Sequence, residues 1–345
     1  HGSAGRLPED PAMPFEPIRL LGIAAALGAQ AAAPAQPAQP ADREATVQGF
    51  NGLPLKASVR AGSGHPFFAV LVAGSGPTDR NWSNPLIPIP SHAGREFAAW
   101  LQGQGIGSLR YDKRFIGTRD PKLDISLDAQ SGDLAAILKA AQGLPEAQGR
   151  RLLLVGHSEG ALLSLLNAHG ADALLLLAMP GLPLSGQVLE QVRRQFSASG
   201  AGPERARPNL EHLAAVLEAV RTRQEAPGPG PAVLPSVAAL GAQLTRPGTL
   251  EYFRAVMDLD PWLLASRVAV PMAAAWGDRD VQCWKPAVPA GFGGTVLDLP
   301  GANHLLRQEN RPPGDLNPAL ALSAYGDETP MADLGPLARW LKGLR

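Results

Sequence analysis

A serine between two glycines, at the end of an unbroken apolar run, most constrains how this chain can fold. Residues 152–165 read LLLVGHSEGALLSL, so the run passes through Gly-His-Ser-Glu-Gly directly into Ala- and Leu-rich sequence. This order predicts a buried strand, a sharp turn at Ser158 and then a helix. Glycines on both sides allow the turn because they have no Cβ to collide with the neighbouring backbone. The Ser158 hydroxyl would then stand at the carboxyl edge of a sheet, above a helix N-terminus.

Further apolar runs alternate with helix-like segments along the chain. The predicted strands lie in ATVQGFNGLPLKASVRAG, PFFAVLVAGSGP, GIGSLRYDKR, RRLLLVGHSEG, ADALLLLAMPG, PMAAAWGDRD and GTVLDLPGANH. Alternation of strand and helix predicts an α/β fold with a mostly parallel central sheet flanked by helices. The first segment alternates around Asn51-Gly52, which predicts an antiparallel hairpin at the start of the sheet. Between about Ser185 and Val268 the strands stop, and amphipathic helices separated by prolines replace them.

This pattern divides the chain into three parts. They are residues 1–41, a leader and linker; residues 42–185 together with 269–345, the core; and residues 186–268, a helical cap insertion. Within the leader, the apolar run from Leu20 to Ala33 has the length of a signal-peptide hydrophobic region and is too short to span a membrane. We therefore expect a bacterial protein exported to the periplasm or the medium. The alternative is a cytoplasmic protein with a disordered N-terminal extension.

The charge balance and the cysteine count exclude several classes of protein. Lys and Arg number 31, as do Asp and Glu, so no net field attracts nucleic acid or an anionic membrane surface. The single cysteine, Cys283, excludes an intrachain disulfide framework and disfavours a Cys-based zinc site. Because no Cys-His pattern accompanies it, we expect an inert thiol.

A serine hydroxyl is a weak nucleophile unless a histidine removes its proton and a carboxylate orients that histidine. Three histidines follow Ser158 in the chain. His169 lies at the end of the helix after the turn, and His212 lies in the insertion. His304, in LDLPGANHLL just past the last predicted strand, is therefore the candidate base.

Two aspartates in AAAWGDRDVQC, Asp278 and Asp280, are candidates for the orienting acid. We favour Asp280, because a residue farther past the strand end can point back across the sheet edge. Asp278 remains the alternative, and it could instead cap the turn through its own backbone.

Two backbone N–H groups are candidates to bind a developing oxyanion. The N–H of Glu159 lies at the positive end of the helix after the turn. The N–H of Ser75 lies in GSGP, the loop after FFAVLVA, whose backbone should approach the same site. A phosphate-binding loop is disfavoured there, because Pro77 removes a donor and no Gly-Lys-Ser/Thr follows.

Together these motifs resemble the α/β-hydrolase superfamily, and specifically a bacterial serine esterase-like branch with a GSGPxDR loop. The resemblance extends from about residue 46 and includes, in order, GSGPTDR, LRYDKR, MDLDPWLLASRVAVP, WGDRDVQ and GANHLL. It implies an α/β-hydrolase fold with the insertion covering the site. The residues that it implies are a triad of Ser158, Asp280 and His304, with Ser75 and Glu159 as backbone oxyanion donors.

One loop departs from that family's pattern, because Phe115 and Ile116 follow YDKR where family members usually continue with Gly. Charged residues on this loop and on the GSGPTDR loop are Asp79, Arg80, Asp112, Lys113 and Arg114. For these we favour structural ion pairs over contacts with substrate. For three tryptophans, Trp82, Trp262 and Trp284, we favour plain packing over a role in an acyl pocket.

The sequence therefore predicts a serine hydrolase of the carboxylesterase type that cleaves ester bonds of small acyl substrates through an acyl-enzyme. This chemistry requires no metal or organic cofactor. Thioester or peptide hydrolysis by the same triad remains an alternative, because the same groups serve all three reactions. A catalytically inactive exported binding protein on a hydrolase scaffold is the alternative from another class.

Overall fold

The computed structural model describes residues 42–344 except residues 88, 119, 121, 313–314 and 316–317. The predicted leader and linker lie outside the described residues. In the described part of the chain, eight strands form one sheet in the order β1-β2-β4-β3-β5-β6-β7-β8. The strands are β1 (Asp42–Gln48), β2 (Pro54–Arg60), β3 (Phe67–Val72), β4 (Gly107–Tyr111), β5 (Arg151–His157), β6 (Ala173–Leu177), β7 (Met272–Gly277) and β8 (Thr295–Leu299).

The sheet is antiparallel only at its beginning. β2 pairs antiparallel with β1 and β4, and all the other neighbours are parallel. The loop that joins β1 to β2 has a positive φ at Asn51 and at Gly52, as the predicted hairpin requires. This topology confirms the α/β-hydrolase fold that the sequence predicted.

Helices cover both faces of the sheet. They are α1 (Ala93–Gly103), α2 (Leu127–Gln142), α3 (Glu159–Leu166), α4 (Leu184–Ala198), α5 (Pro203–Thr222), α6 (Pro235–Leu244), α7 (Pro247–Val256), α8 (Pro261–Ala265), α9 (Pro318–Ser323) and α10 (Gly335–Gly343). Apolar residues of α1 and α10 pack on one face, and those of α2, α3 and α8 pack on the other. β3 alternates between the two cores, as a fully buried strand does: Phe67, Ala69 and Leu71 point to one, and Phe68, Val70 and Val72 to the other.

The segment between β6 and β7 is fully described and contains five helices, α4 to α8. Buried residues of α4 to α7 form an apolar cluster separate from the two sheet cores. The cap contacts the sheet edge through α4, where the side-chain amides of Gln187 and Gln191 both donate to the Gln282 carbonyl oxygen. Among the described residues, no helix has the length and apolar character to cross a membrane.

Candidate active site

Ser158 occupies a sharp turn between β5 and α3. Its φ of 55° and ψ of −122° lie in a region that non-glycine residues rarely adopt. The neighbouring glycines are required by close approach of the backbone. A Cβ on Gly156 would lie 2.4 Å from the Gly160 carbonyl oxygen, and one on Gly160 would lie 2.4 Å from the Val72 carbonyl oxygen. The surrounding packing therefore holds Ser158 in a strained conformation at the carboxyl edge of the sheet.

His304 and Asp280 come together at the same edge. His304 Nδ1 lies 2.8 Å from Asp280 Oδ2, and both side chains are almost fully buried. The other carboxylate oxygen, Oδ1, accepts hydrogen bonds from the backbone N–H groups of Gln282 and Cys283 at 2.7 and 2.9 Å. These two donors fix the carboxylate, and Oδ2 then sets the orientation of the His304 ring.

Asp278, the alternative acid, lies elsewhere. One of its oxygens accepts a hydrogen bond from the Gly301 N–H at 2.7 Å, and the other pairs with Arg279 at 2.8 Å. Asp278 thus joins the end of β7 to the loop after β8. The structure brings Asp280, and not Asp278, to the candidate base.

Ser158 and His304 line one small cavity of about 30 Å³, together with residues that include Ser75, Trp82 and Tyr325. Ser158 Oγ lies 4.0 Å from Cys283 Sγ in this structure. Between these described side chains no hydrogen bond joins Ser158 Oγ to the His304 ring. Hydrogen bonds between candidate catalytic groups are often long or poorly aligned without substrate and tighten only when it binds.

A second cavity of about 50 Å³ lies between Ser158 and the cap. Its apolar wall is formed by Leu162, Pro180, Leu184, Phe253 and Val256. Ser75 and Glu159 also line it. Within the described part of the chain, neither the Ser75 N–H nor the Glu159 N–H has a hydrogen-bond acceptor. Both donors are therefore available beside the hydroxyl that would attack a carbonyl group.

His157 is a residue that the sequence reasoning did not single out. Its Nε2 lies 2.7 Å from the His304 carbonyl oxygen and must donate, because a carbonyl oxygen only accepts. Its ring stacks on Trp82 with centroids 4.4 Å apart. Burial, reinforced by the neighbouring His304, lowers the pKa of His157 to about 3. A neutral His157 thus holds the backbone of the candidate base. The sequence signal that could have identified His157 is its position directly before Ser158.

The cysteine and tryptophans near the site have mainly structural contacts. Burial, and secondarily Asp280, raises the pKa of the Cys283 thiol well above its usual range. Trp82 packs on His157 and also lines the smaller cavity. Trp262 donates to the Gly181 carbonyl oxygen at 2.9 Å, and Trp284 stacks with the Arg194 guanidinium at 3.7 Å. Neither of these two tryptophans lines the cavities at Ser158.

Most of the charged loop residues form ion pairs or turns. The pairs are Arg80 with Asp112 and Glu44, and Arg114 with Asp133, while Asp79 accepts from the backbone N–H groups of Asn81 and Ser83. Lys113 differs from them, because its ammonium group donates to the Gly74 carbonyl oxygen and lies 3.7 Å from the Glu159 carboxylate. Phe115, where the loop departs from the family's pattern, lies beside it, with its ring centroid 5.2 Å from Lys113 Nζ.

The order of the strands and the sharp turn at Ser158 together define the fold class of this protein. The chain has the α/β-hydrolase fold, with a serine at the strand-to-helix turn and a histidine–aspartate pair at the same sheet edge.

Known proteins resemble the chain in sequence and in structure. Esterase EstD of Thermotoga maritima is 32% identical over 277 residues, which cover 77% of this chain. The chain spans 60% of the length of that curated relative. VinJ superposes with a TM-score of 0.52 at 18% identity, covering 89% of this chain and all of VinJ. The proline iminopeptidase of Mycobacterium smegmatis superposes at 0.51 and 16% identity, covering 87% and 98%. No family model matches the chain.

Proposed function

We propose that this protein is a serine-dependent carboxylic ester hydrolase acting on small acyl substrates. The observation that carries the proposal is the 2.8 Å contact between His304 Nδ1 and Asp280 Oδ2. His304 lines the same cavity as Ser158, which lies at the strained turn between β5 and α3. Similarity to the esterase of Thermotoga maritima supports ester cleavage, and this chain spans 60% of that enzyme's length. The fold neighbours support the fold alone.

In the proposed mechanism, His304 Nε2 takes the Ser158 proton as Oγ attacks the substrate carbonyl carbon. Asp280 accepts a hydrogen bond from Nδ1–H, so it maintains the reactive tautomer and stabilises the imidazolium that forms. The negative charge that develops on the carbonyl oxygen is bound by the N–H groups of Ser75 and Glu159.

Collapse of this intermediate releases the alcohol, which takes its proton from His304, and leaves the acyl group on Ser158. His304 then removes a proton from water, and the resulting hydroxide attacks the acyl-enzyme carbonyl carbon. A second tetrahedral intermediate breaks down to the free acid, and Ser158 Oγ takes the proton back from His304, which restores both residues.

The small cavities favour short acyl chains. The cavity between Ser158 and the cap has a volume of about 50 Å³, and a single water molecule needs roughly 10–15 Å³. The apolar wall from the cap suits an alkyl group. We expect acetyl and butyryl esters of p-nitrophenol to be cleaved with a higher kcat/KM than the octanoyl ester, as measured by release of p-nitrophenol.

The decisive experiment is labelling of the purified protein with a fluorophosphonate, followed by peptide mass spectrometry to locate the adduct. We expect the label on Ser158. It should be absent from Ser158→Ala and strongly reduced in His304→Ala, because the serine then lacks its base. Folded wild-type protein that takes up no label would contradict the proposal and favour an inactive binding protein.

Thioester and amide bonds remain the alternative substrates, because the same groups can cleave all three bonds. Matched acetyl substrates with an oxygen, sulfur or nitrogen leaving group decide between them. The esterase assignment would be contradicted if the thioester or the amide had a kcat/KM equal to or higher than that of the ester.

We also propose that the protein is exported, on the strength of the apolar run from Leu20 to Ala33 and the small residues after it. The measurement is the N-terminal mass of protein recovered from the periplasm or the medium of a bacterial host. Cleavage within residues 30–41 supports export, and recovery of the uncleaved protein in the cytoplasm alone argues against it.

A further inference from the structure

Lys113 has its amino group in a buried position, where a charge is costly. Its side chain is 3% exposed, and burial lowers the pKa of its ammonium group while the neighbouring Glu159 acts in the opposite direction. An ammonium group is costly to remove from water unless its charge and hydrogen bonds are satisfied. Two polar partners of Lys113, the Gly74 carbonyl oxygen and the Glu159 carboxylate, adjoin or belong to the candidate active site.

The first partner is the carbonyl oxygen of Gly74, to which Lys113 Nζ donates. This carbonyl group and the N–H of Ser75 belong to one planar peptide unit, so holding the carbonyl oxygen fixes the opposite direction of the N–H. A cation on the oxygen also polarises the unit, which makes its N–H a stronger donor. Lys113 thus acts on Ser75 without touching the cavity where substrate would bind.

The second partner is the carboxylate of Glu159, whose Oε2 lies 3.7 Å from Lys113 Nζ. Oε1 of the same carboxylate accepts a hydrogen bond from the Tyr252 hydroxyl at 2.6 Å, and Tyr252 belongs to cap helix α7. The N–H of Glu159 is the other proposed oxyanion donor. Lys113 therefore links the Gly74–Ser75 peptide unit to the side chain of Glu159, and Tyr252 links that side chain to helix α7.

We propose that Lys113 is a positioning residue of the oxyanion hole, where it holds the Gly74–Ser75 peptide unit so that the Ser75 N–H faces the reacting carbonyl oxygen. The proposal rests on the ester hydrolase function proposed above and assigns to it a residue that does not contact substrate. The neighbours of Lys113 in sequence have other partners. Asp112 pairs with Arg80, and Arg114 pairs with Asp133.

The test compares Lys113→Met, which removes charge and donor at nearly constant length, with Lys113→Arg, which retains both. The measurements are kcat and KM for p-nitrophenyl acetate and the inhibition constant of an alkylboronic acid, which forms a tetrahedral anion on the serine. In Lys113→Met we expect kcat to fall about 10- to 100-fold with KM within about 3-fold, because the lost interaction strengthens only in the transition state. The inhibition constant of the boronic acid should rise by a similar factor. In Lys113→Arg, both kcat and the inhibition constant should lie between the values of wild type and Lys113→Met.

Arg80→Met is the matched control. Arg80 lies on the GSGPTDR loop, which also contains Gly74 and Ser75. It forms ion pairs with Asp112 and Glu44, and no described contact joins its side chain to the Gly74–Ser75 peptide unit. We expect kcat within about 2-fold of wild type and an unfolding midpoint that falls only slightly, since exposed or partly exposed ion pairs contribute little to stability. Equal losses of kcat in Arg80→Met and Lys113→Met would show that Lys113 only pins the loop and would overturn the proposal.

Two further outcomes are distinguishable. If Lys113→Met fails to fold, Lys113→Leu, which also removes the charge and the donor to Gly74, carries the same comparison. A folded Lys113→Leu variant with the kcat and the boronic acid inhibition constant of wild type overturns the proposal. A folded wild type with neither hydrolytic activity nor fluorophosphonate labelling at Ser158 overturns the proposed function, and the role of Lys113 falls with it.

Discussion

At the scale of single residues, the two oxygens of Asp280 have separate tasks. Oδ1 accepts from two backbone N–H groups, of Gln282 and Cys283, and Oδ2 faces His304 Nδ1. The sequence favoured Asp280 over Asp278 as the candidate acid because it lies farther past the end of β7. The two backbone donors that hold it were not, because they depend on how the chain turns after the strand.

This division of tasks makes Asp280→Asn a sharp test. Asn retains an oxygen for the backbone donors, so we expect the fold and the unfolding midpoint to change little. Its amide would instead donate to His304 Nδ1 and so favour the unreactive tautomer, lowering kcat about 10³- to 10⁴-fold. The measurement is steady-state hydrolysis of p-nitrophenyl acetate, with thermal unfolding of the same samples.

Asp278→Asn is the matched control for that variant. Asp278 accepts from the Gly301 N–H and does not contact His304, and Asn retains an acceptor for this bond. We expect kcat within about 3-fold of wild type. A loss of kcat in Asp278→Asn as large as that in Asp280→Asn would contradict the assignment of the acid.

At the scale of secondary structure elements, the position of Ser158 depends on close packing of α3 against the end of β3. Gly160 lies in the first turn of α3, and the space for a side chain there is occupied by the carbonyl oxygens of Val72 and Ala73. The G-x-S-x-G pattern predicted a tight turn. Which backbone the second glycine approaches became apparent only from the fold, since Val72 and Gly160 are far apart in the chain.

Gly160→Ala should therefore destabilise the protein. A Cβ 2.4 Å from the Val72 carbonyl oxygen requires α3 or β3 to shift, which costs typically about 1–3 kcal/mol, more than the gain of about 0.5–1 kcal/mol from helix propensity. We expect a lower denaturant midpoint with an unchanged slope, together with a reduced rate of fluorophosphonate labelling. The measurement is equilibrium unfolding in urea.

The control for this substitution is Gly186→Ala in α4. A Cβ at Gly186 would meet Leu182 at 3.5 Å, an ordinary van der Waals contact. Helix propensity should then dominate, so we expect a neutral or slightly stabilising change of about 0.5 kcal/mol. Equal destabilisation by the two substitutions would mean that close approach to β3 is not the cause.

At the scale of the whole molecule, the candidate site lies where the sheet core and the cap meet. The cap has its own apolar cluster and contacts the site through the Gln282 carbonyl oxygen and the Glu159 carboxylate. His157 lies beneath this junction, almost fully buried between Trp82 and His304. Its protonation state is therefore linked to the stability of the entire fold.

Acid should destabilise the protein through His157. Burial lowers its pKa from 6.5 to about 3 in the folded chain, so between these values the unfolded chain binds a proton that the native state does not. The contribution of His157 to stability is then fully present above pH 6.5 and is lost as the pH decreases toward 3, by on the order of 3 kcal/mol between pH 7 and pH 4. We expect His157→Gln, which retains a donor near the His304 carbonyl oxygen, to show a shallower fall in urea unfolding measured from pH 7 to 4.

His169→Gln is the control for the pH experiment, because His169 is exposed on the protein surface. It should retain the wild-type pH dependence. His65, whose pKa burial also lowers, contributes in the same direction, so the comparison depends on differences between variants. A pH dependence in His157→Gln as steep as that of wild type would contradict the role assigned to the buried ring.

The sequence by itself determined the features that are local or that follow from chain order. Glycine spacing at Ser158, apolar runs at the strands and the order of Ser158, Asp280 and His304 indicated the fold and the candidate site, because parallel strands end at one sheet edge. The tertiary structure alone decided what depends on side chains packed from distant segments. The contacts of Lys113 with Gly74 and Glu159, and of His157 with the His304 backbone, are of this kind. Burial gives these contacts their strength, and burial is a property of the assembled fold.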